Sequence, residues 1–136
     1  MDLARSMKIA ASGLDAQSAR LKTISENLAN ADSTATEPGG VPYRRKVITF
    51  KNVLDRALDA RLVEVKSVQD GGGDFERRYD PSHPGADRDG YVLMPNVNPL
   101  IELMDMREAQ RSYEANLNVI DSAKTMISRT LDLLRN

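Results

Sequence analysis

The chain has 136 residues, no cysteine and no tryptophan, and its 19 basic and 20 acidic side chains nearly cancel to a formal net charge of −1. The missing cysteine excludes disulfides, thiolate–zinc sites and thiol catalysis, and the balanced charge supplies no long-range field toward nucleic acid or an anionic membrane. A chain this short, with only two Phe and four Tyr, buries a modest core by itself, and no apolar run approaches the roughly 20 residues that span a bilayer.

The N-terminus, Met1-Asp2-Leu3-Ala4-Arg5-Ser6, lacks the apolar core and small-residue cleavage site of a secretory signal, so an exported form is expected to travel without a cleaved signal peptide. From Leu3 onward, apolar or small residues recur at alternating steps of four and three. One row is Met7, Leu14, Leu21 and Leu28; the other is Leu3, Ala10, Gln17, Ile24 and Ala31. That is a heptad seam over about four repeats, with one polar break at Gln17. Asp2 is the expected N-cap, and Asn30-Ala31-Asp32-Ser33 the expected stop.

The period then changes. Tyr43 to Phe50, Leu62 to Val68, Phe75 to Tyr79 and Tyr91 to Met94 are short β-rich runs, separated by Pro38-Gly39-Gly40, Gly71-Gly72-Gly73 and Asp89-Gly90. The Gly71-Gly72-Gly73 triplet reads as a flexible hairpin connection, and Asn52 to Arg61 fits either a short helical turn or a loop.

A second heptad pattern fills the C-terminal third: Leu103, Met106, Gln110, Tyr113, Leu117, Ile120, Lys124, Ile127, Leu131 and Leu134. Asn98-Pro99 suits a cap followed by the first helical residue, where proline's missing N–H leaves nothing unsatisfied. Glu102 and Asp105 in the early turns, and Arg129 and Arg135 near the end, complement the helix dipole. The expected fold is mainly α with a small β-rich insert, its long N- and C-terminal helices pairing as a coiled coil. The division is a helix over 1–33, a loop and insert over 34–97, and a helix over 98–136. At 1.5 Å per residue the helices reach about 45 and about 55 Å.

A narrow apolar stripe gains its stability from packing. Small residues beside the stripes (Ala16 and Ser25; Ala109, Ala123 and Thr130) permit close helix approach, yet a two-helix pair leaves its far side short of burial. Neighbouring subunits are one remedy, giving homo- and hetero-oligomeric assembly. An ordinary helical hairpin that acts as a soluble adaptor or chaperone-like module is the other reading of the same periodicity.

Chemistry finds little support. His83, the single histidine, lies among Asp80, Asp87 and Asp89, but the spacing misses an EF-hand loop, and nothing local builds a Ser-His-Asp arrangement on it. Gly71-Gly72-Gly73 lacks the Lys-Ser/Thr of a phosphate loop. Tyr43-Arg44-Arg45-Lys46 is the one dense basic run. Without a broader basic face it reads as a solvated strand or a contact with an acidic neighbour, not a nucleic-acid footprint. Asp70/Asp74 and Asp87/Asp89 read as loop acids. No enzyme activity and no cofactor are expected.

Ser25-Glu26-Asn27-Leu28-Ala29-Asn30-Ala31-Asp32-Ser33 resembles the N-terminal signature of the flagellar axial proteins, the rod and hook family. In that family Asn-Leu-Ala-Asn-Ala closes the first helix, and the following loop ends in Gly-Tyr or Pro-Tyr plus basic residues. Here that loop runs through Pro38-Gly39-Gly40-Val41-Pro42-Tyr43-Arg44-Arg45-Lys46, longer than the usual Thr-Pro-Gly-Tyr form. This departure, with Gly90-Tyr91-Val92-Leu93-Met94-Pro95-Asn96-Val97, is similar to a proximal-rod member. Arg111-Ser112-Tyr113-Glu114-Ala115-Asn116 is similar to the family's Ser-Tyr-x-Ala-Asn stretch. Residues 51–78 carry no such motif.

The resemblance implies a structural subunit of the basal-body rod, a hollow drive shaft through the periplasm that transmits torque. Its implied partners are other proximal and distal rod proteins, the junction protein between rod and MS ring, and the flagellar type III export apparatus. It also implies an inner coiled-coil layer of terminal helices that are largely disordered before assembly. On that reading the subunit-interface residues are Leu14, Leu21, Ile24, Asn27, Leu28 and Asn30 in front, Tyr43 in the loop, and Tyr113, Asn116, Leu117, Ile120 and Ile127 behind. Asn27 and Asn30 also suit a plain helix stop, their amides satisfying backbone groups where the chain turns.

Overall fold

The structure, a computed structural model, describes residues 2–136. It consists of two long terminal helices and a small β insert: α1 (Leu3–Ala29), β1 (Lys46–Asp55), β2 (Ala60–Asp70), β3 (Glu76–Tyr79), β4 (Tyr91–Met94) and α2 (Pro99–Arg135). The caps follow from local chemistry. Asp2 Oδ1 accepts from Ala4 N at 3.0 Å. At α2, Asn98 Oδ1 accepts from Leu100 N at 3.1 Å, immediately before Pro99 takes the first helical position.

The strands form two separate two-stranded sheets, β1–β2 and β3–β4. The segment Asn52 to Arg61 forms no helical turn. β1 runs on to Asp55, and β2 starts at Ala60. Asp55 makes the short reversal possible, since its Oδ1 accepts from Ala57 N and Leu58 N at 3.0 and 3.2 Å. Asp59 completes the turn in the left-handed region, with φ 48°. The first strand also begins later than its β-rich composition suggests, at Lys46 instead of Tyr43, because the Tyr43 side chain is recruited by α1.

β3 and β4 pair antiparallel with Glu76 opposite Met94 and Tyr79 opposite Tyr91. Alternation places Val92 inward at 2% exposure, and puts Tyr79, Tyr91 and Leu93 on the outer face. There the two tyrosine rings meet edge to face, with centroids 5.3 Å apart. Arg77 lies over the Tyr91 ring at 4.5 Å.

The chain folds as two compact units. The first comprises the chain up to Leu21, residues 49–67 and residues 107–136; the second comprises residues 22–48 and 68–106. In the first unit the core is built from small side chains: Ala10, Ala16, Ala60, Ala109 and Ala123 are all buried. A Cβ placed on Gly13 would lie 2.7 Å from Asn116 Oδ1, so the Asn116 side chain occupies the space that the missing Cβ leaves. The β2 backbone is tied to α1 by Val63 N donating to Ser12 Oγ at 3.3 Å.

Of the two rows expected along α2, Met106, Tyr113, Ile120 and Ile127 are half-buried, but the other is not covered. The leucine row Leu103, Gln110, Leu117, Lys124, Leu131 is exposed, whereas Glu102, Ala109 and Ala123 are buried and Asn116 is half-buried. The face is turned by one residue because close approach selects the smallest side chains, and apolar periodicity counts leucine more heavily than alanine.

Candidate functional site: a polar knot and an uncovered helix face

In the second unit the end of α1, the loop before β1 and the start of α2 converge on one side chain. Asn27 is 1% exposed and uses its whole amide. Its Oδ1 accepts from Lys46 N at 2.9 Å and from the Tyr43 hydroxyl at 2.8 Å. Its Nδ2 donates to Lys46 O at 2.9 Å and to Glu102 Oε2 at 3.3 Å. Pairing both backbone groups of Lys46 makes Asn27 act as a strand of one residue, which is why the chain enters β1 there.

Glu102, also 1% exposed, is ion-paired with the Arg45 guanidinium through Oε1. Arg45 Nη2 lies 3.7 Å from Asp105 Oδ2 as well, and Arg45 N donates to Asn96 Oδ1 at 2.7 Å. Glu102 is therefore a buried structural anion as well as an early-turn acid. A buried carboxylate is tolerated only when its oxygens are filled, as both are here. Burial holds the Tyr43 phenol above its ordinary value, with Lys46 opposing the shift and Glu26, Asp70 and Glu102 adding to it. The phenol stays neutral as the knot's hydroxyl donor.

The basic run is thus dispersed inside its own chain. Arg45 meets Glu102, Lys46 Nζ meets Glu26 at 3.4 Å, and Arg44 lies over the Phe75 ring at 4.3 Å. The glycine triplet is pinned: Asn96 Nδ2 donates to Gly71 O at 2.8 Å and to Gly73 O at 2.9 Å.

His83 Nδ1 accepts from Gly85 N, and its Nε2 meets Thr34 Oγ1, both at 2.9 Å, which fastens the two loops together. Asp87 closes the turn into β4. Its carboxylate is held below the ordinary range chiefly by the Tyr91 backbone N–H, with the Asp89 N–H and Arg77 adding to it. Among the described residues, no group of three or more His, Asp or Glu is placed to hold a metal ion.

The candidate interface residues fall into two groups. Ile24 and Asn27 are buried within the chain, and Asn30 bonds locally to Glu26 O and Ser33 Oγ. Tyr43 belongs to the knot, and Asn116 Nδ2 donates to Ser112 O at 2.9 Å beside Gly13. Leu14, Leu21, Leu28, Tyr113, Ile120 and Ile127 are half-buried, and Leu117 is 41% exposed. Periodicity missed the Arg45–Glu102 pair. Its one signal was spacing, since Glu102 continues the seven-residue row of Ala109, Asn116 and Ala123.

α2 also carries large apolar side chains that stay largely exposed among the described residues. Val119, Met126 and Leu133, seven residues apart, are 45, 54 and 79% exposed. Isolated exposed apolar residues are ordinary, but a continuous row along a helix marks an interaction surface.

Two family models match the chain: the flagella basal body rod protein model over residues 7–35, and the C-terminal model of the flagellar basal body rod FlgEFG proteins over residues 88–133. The flagellar basal-body rod protein FlgC of Agrobacterium fabrum is 52% identical over 133 residues, covering 98% of this chain and 96% of the relative. The chain belongs to the flagellar basal-body rod protein FlgC family. FlgC of Salmonella typhimurium is 41% identical over 133 residues, covering 98% of both chains. FlgC of Bacillus subtilis is 36% identical over 143 residues, covering 94% of this chain and 95% of the relative. Membership of the FlgC family makes this protein a structural subunit of the flagellar basal-body rod and not an enzyme. The matched segments contain the Asn27-Leu28-Ala29-Asn30-Ala31 stretch, β4 and the Ser112–Asn116 stretch.

Proposed function

We propose that this subunit belongs to the proximal rod and polymerises through its terminal helices into the hollow shaft that carries motor torque across the periplasm. The observation that carries this reading is the exposed apolar row of α2, lying on a helix whose innermost row, with Ala109 and Ala123, is already covered. A row of that kind is stabilised when neighbouring helices pack on it, and torque transmission asks only for many repeated contacts.

In this reading α1 and α2 pair as a coiled coil, residues 1–33 and 98–136 form the shaft layer, and residues 34–97 form the outer insert. Leu14, Leu21, Leu28, Tyr113, Leu117, Ile120 and Ile127 meet neighbouring subunits, whereas Ile24, Asn27 and Tyr43 shape the contacting loop from within. Neighbours are other proximal and distal rod proteins and the junction protein at the MS ring. Delivery is by the flagellar type III apparatus, without a cleaved signal.

Electron microscopy of basal bodies from cells lacking this chain, with and without restored expression, tests the proposal. Loss of rods, hooks and filaments that returns on restoration is the expected result. Leu21→Asp or Ile120→Asp should prevent restoration by burying an unpaired charge. Normal rods built without the chain would transfer the argument to the adaptor reading, in which the free protein is a stable helical monomer.

A further inference from the structure

Two loops of the second unit, residues 33–43 and 80–90, meet at the single histidine of the chain. A backbone N–H can only donate, so the bond from Gly85 N to His83 Nδ1 at 2.9 Å requires that Nδ1 carry no proton. The neutral ring therefore holds its proton on Nε2 and donates it to Thr34 Oγ1 at 2.9 Å. One ring serves both loops, and it does so only while uncharged.

The contact is close as well as bonded. A Cβ added to Gly85 would run into the Ala35 carbonyl and lie 3.2 Å from His83 Nδ1, so the loop backbones meet with no side chain between them. Each loop is also closed on itself. Tyr43 N donates to Ser33 O at 2.9 Å in the first, and Asp80 N donates to Gly90 O at 2.9 Å in the second.

We infer that His83 is an acid-released latch between these two loops. Histidine is the side chain that changes charge between about pH 5 and 8. When Nδ1 takes up a proton, it becomes a donor facing the Gly85 N–H, so that bond is lost and two donors stand opposed. The Nε2 bond to Thr34 survives. The latched form excludes a proton that the open form accepts, so the latch is strongest at high pH and weakens as pH falls.

The charged groups on the two loops leave this exchange to the ring. Asp32, Glu37, Arg88 and Asp89 are exposed. Asp80 Oδ1 accepts from Ser82 Oγ at 2.7 Å, and Asp87 is engaged by Arg77 and by the Tyr91 and Asp89 N–H groups. Both imidazole nitrogens meet neutral partners, so no carboxylate is bonded to the ring to secure its charged form. After release each loop remains closed at its own base, because those bonds join backbone groups that do not titrate.

Nuclear magnetic resonance of the isotope-labelled full-length chain tests the latch, and a single histidine leaves the ring signals unambiguous. The expected tautomer at about pH 8 is the one protonated on Nε2. Protection of Gly85 N, taken relative to the intrinsic exchange rate at each pH, should fall at least tenfold between about pH 8 and about pH 5. In His83→Asn, Oδ1 stands where Nδ1 was as an acceptor that keeps its charge state, so protection should stay level within about twofold. The turn at Asp87 is a separate control, since its carboxylate is held below the ordinary range and its loosening belongs to stronger acid. The Nδ1-protonated tautomer, or no protection of Gly85 N at about pH 8, overturns the inference. Level protection in the native chain, or an equal fall in His83→Asn, overturns it too. The readings on the native chain stand whether or not the variant folds.

Discussion

The two units of this subunit solve the problem of joining helices in opposite ways. The second uses a few buried polar groups, with Asn27 and Glu102 filling each other's valences and those of Arg45, Tyr43 and Lys46. The first uses almost no side-chain bulk, with Ala10, Ala16, Ala109 and Ala123 covered and Gly13 pressed against Asn116. A polar knot fixes one arrangement because every wrong arrangement leaves a charge or amide unsatisfied. An alanine interface brings backbones close but buries little area, and it leaves the large side chains of α2 facing outward for other molecules. One unit therefore fixes a single arrangement, and the other leaves apolar surface exposed.

Breaking the knot should have the largest effect. Glu102→Ala leaves Arg45 without its buried partner and Asn27 Nδ2 short of an acceptor, so a loss of about 3 kcal/mol is expected, measured by urea denaturation of the purified chain. A loss below about 1 kcal/mol would show that Asp105 and water replace the pair, and would remove the basis for treating the knot as specifying.

The alanine side is probed by Gly13→Ala. In a free helix this change is favourable by about 1 kcal/mol. Here the new methyl meets the Asn116 amide, so a net destabilisation of about 1 kcal/mol is expected. Adding Asn116→Ala should restore most of it. A stabilised single variant would mean that the Asn116 side chain moves aside and the helix spacing does not depend on glycine.

Titration sharpens the contrast more gently. The Tyr43 phenol is raised in the fold, so the unfolded chain ionises first. Stability is unaffected below about pH 10 and falls as pH rises from there through the folded value. Tyr43→Phe should remove that alkaline decline, read as a flatter urea midpoint between about pH 9 and 11.

Asp87 gives the smallest effect and the opposite sign. Its lowered value means that the turn into β4 is held above the ordinary carboxylate range and loosens as pH falls through the folded value. The protection of Tyr91 N against amide exchange, relative to the intrinsic rate at each pH, should fall in acid in the native chain, where Asp87 Oδ1 accepts from it at 2.9 Å, and not in Asp87→Asn.

The legible parts of the sequence were those set by neighbours along the chain. Asp2, Asn98 and Pro99 mark helix starts through groups two or three residues away, and Tyr91–Met94 is bounded by turn residues on both sides. One of the two expected rows of α2, the leucine row, was read one residue off, because alanine contributes little to an apolar pattern although its size is what a close helix contact selects. Glu102 looked like a dipole complement because nothing in its neighbourhood announces a guanidinium 57 residues earlier. The reversal at Asp55–Asp59 was ambiguous because its turn depends on one carboxylate and one left-handed residue within an otherwise helix-compatible run.

The span of the knot also fixes an order of events in time. Asn27 and Glu102 are 75 positions apart, so the second unit has no closed form until three-quarters of the chain is present. A polypeptide delivered from its N-terminus must hold its first helix and loop open until Pro99 and the turn after it arrive. Closing so long a loop costs only logarithmically more than closing a short one, but it makes completion late and cooperative. The carboxylate of Glu102 thereby acts as a clasp that fastens only when nearly everything else has come through.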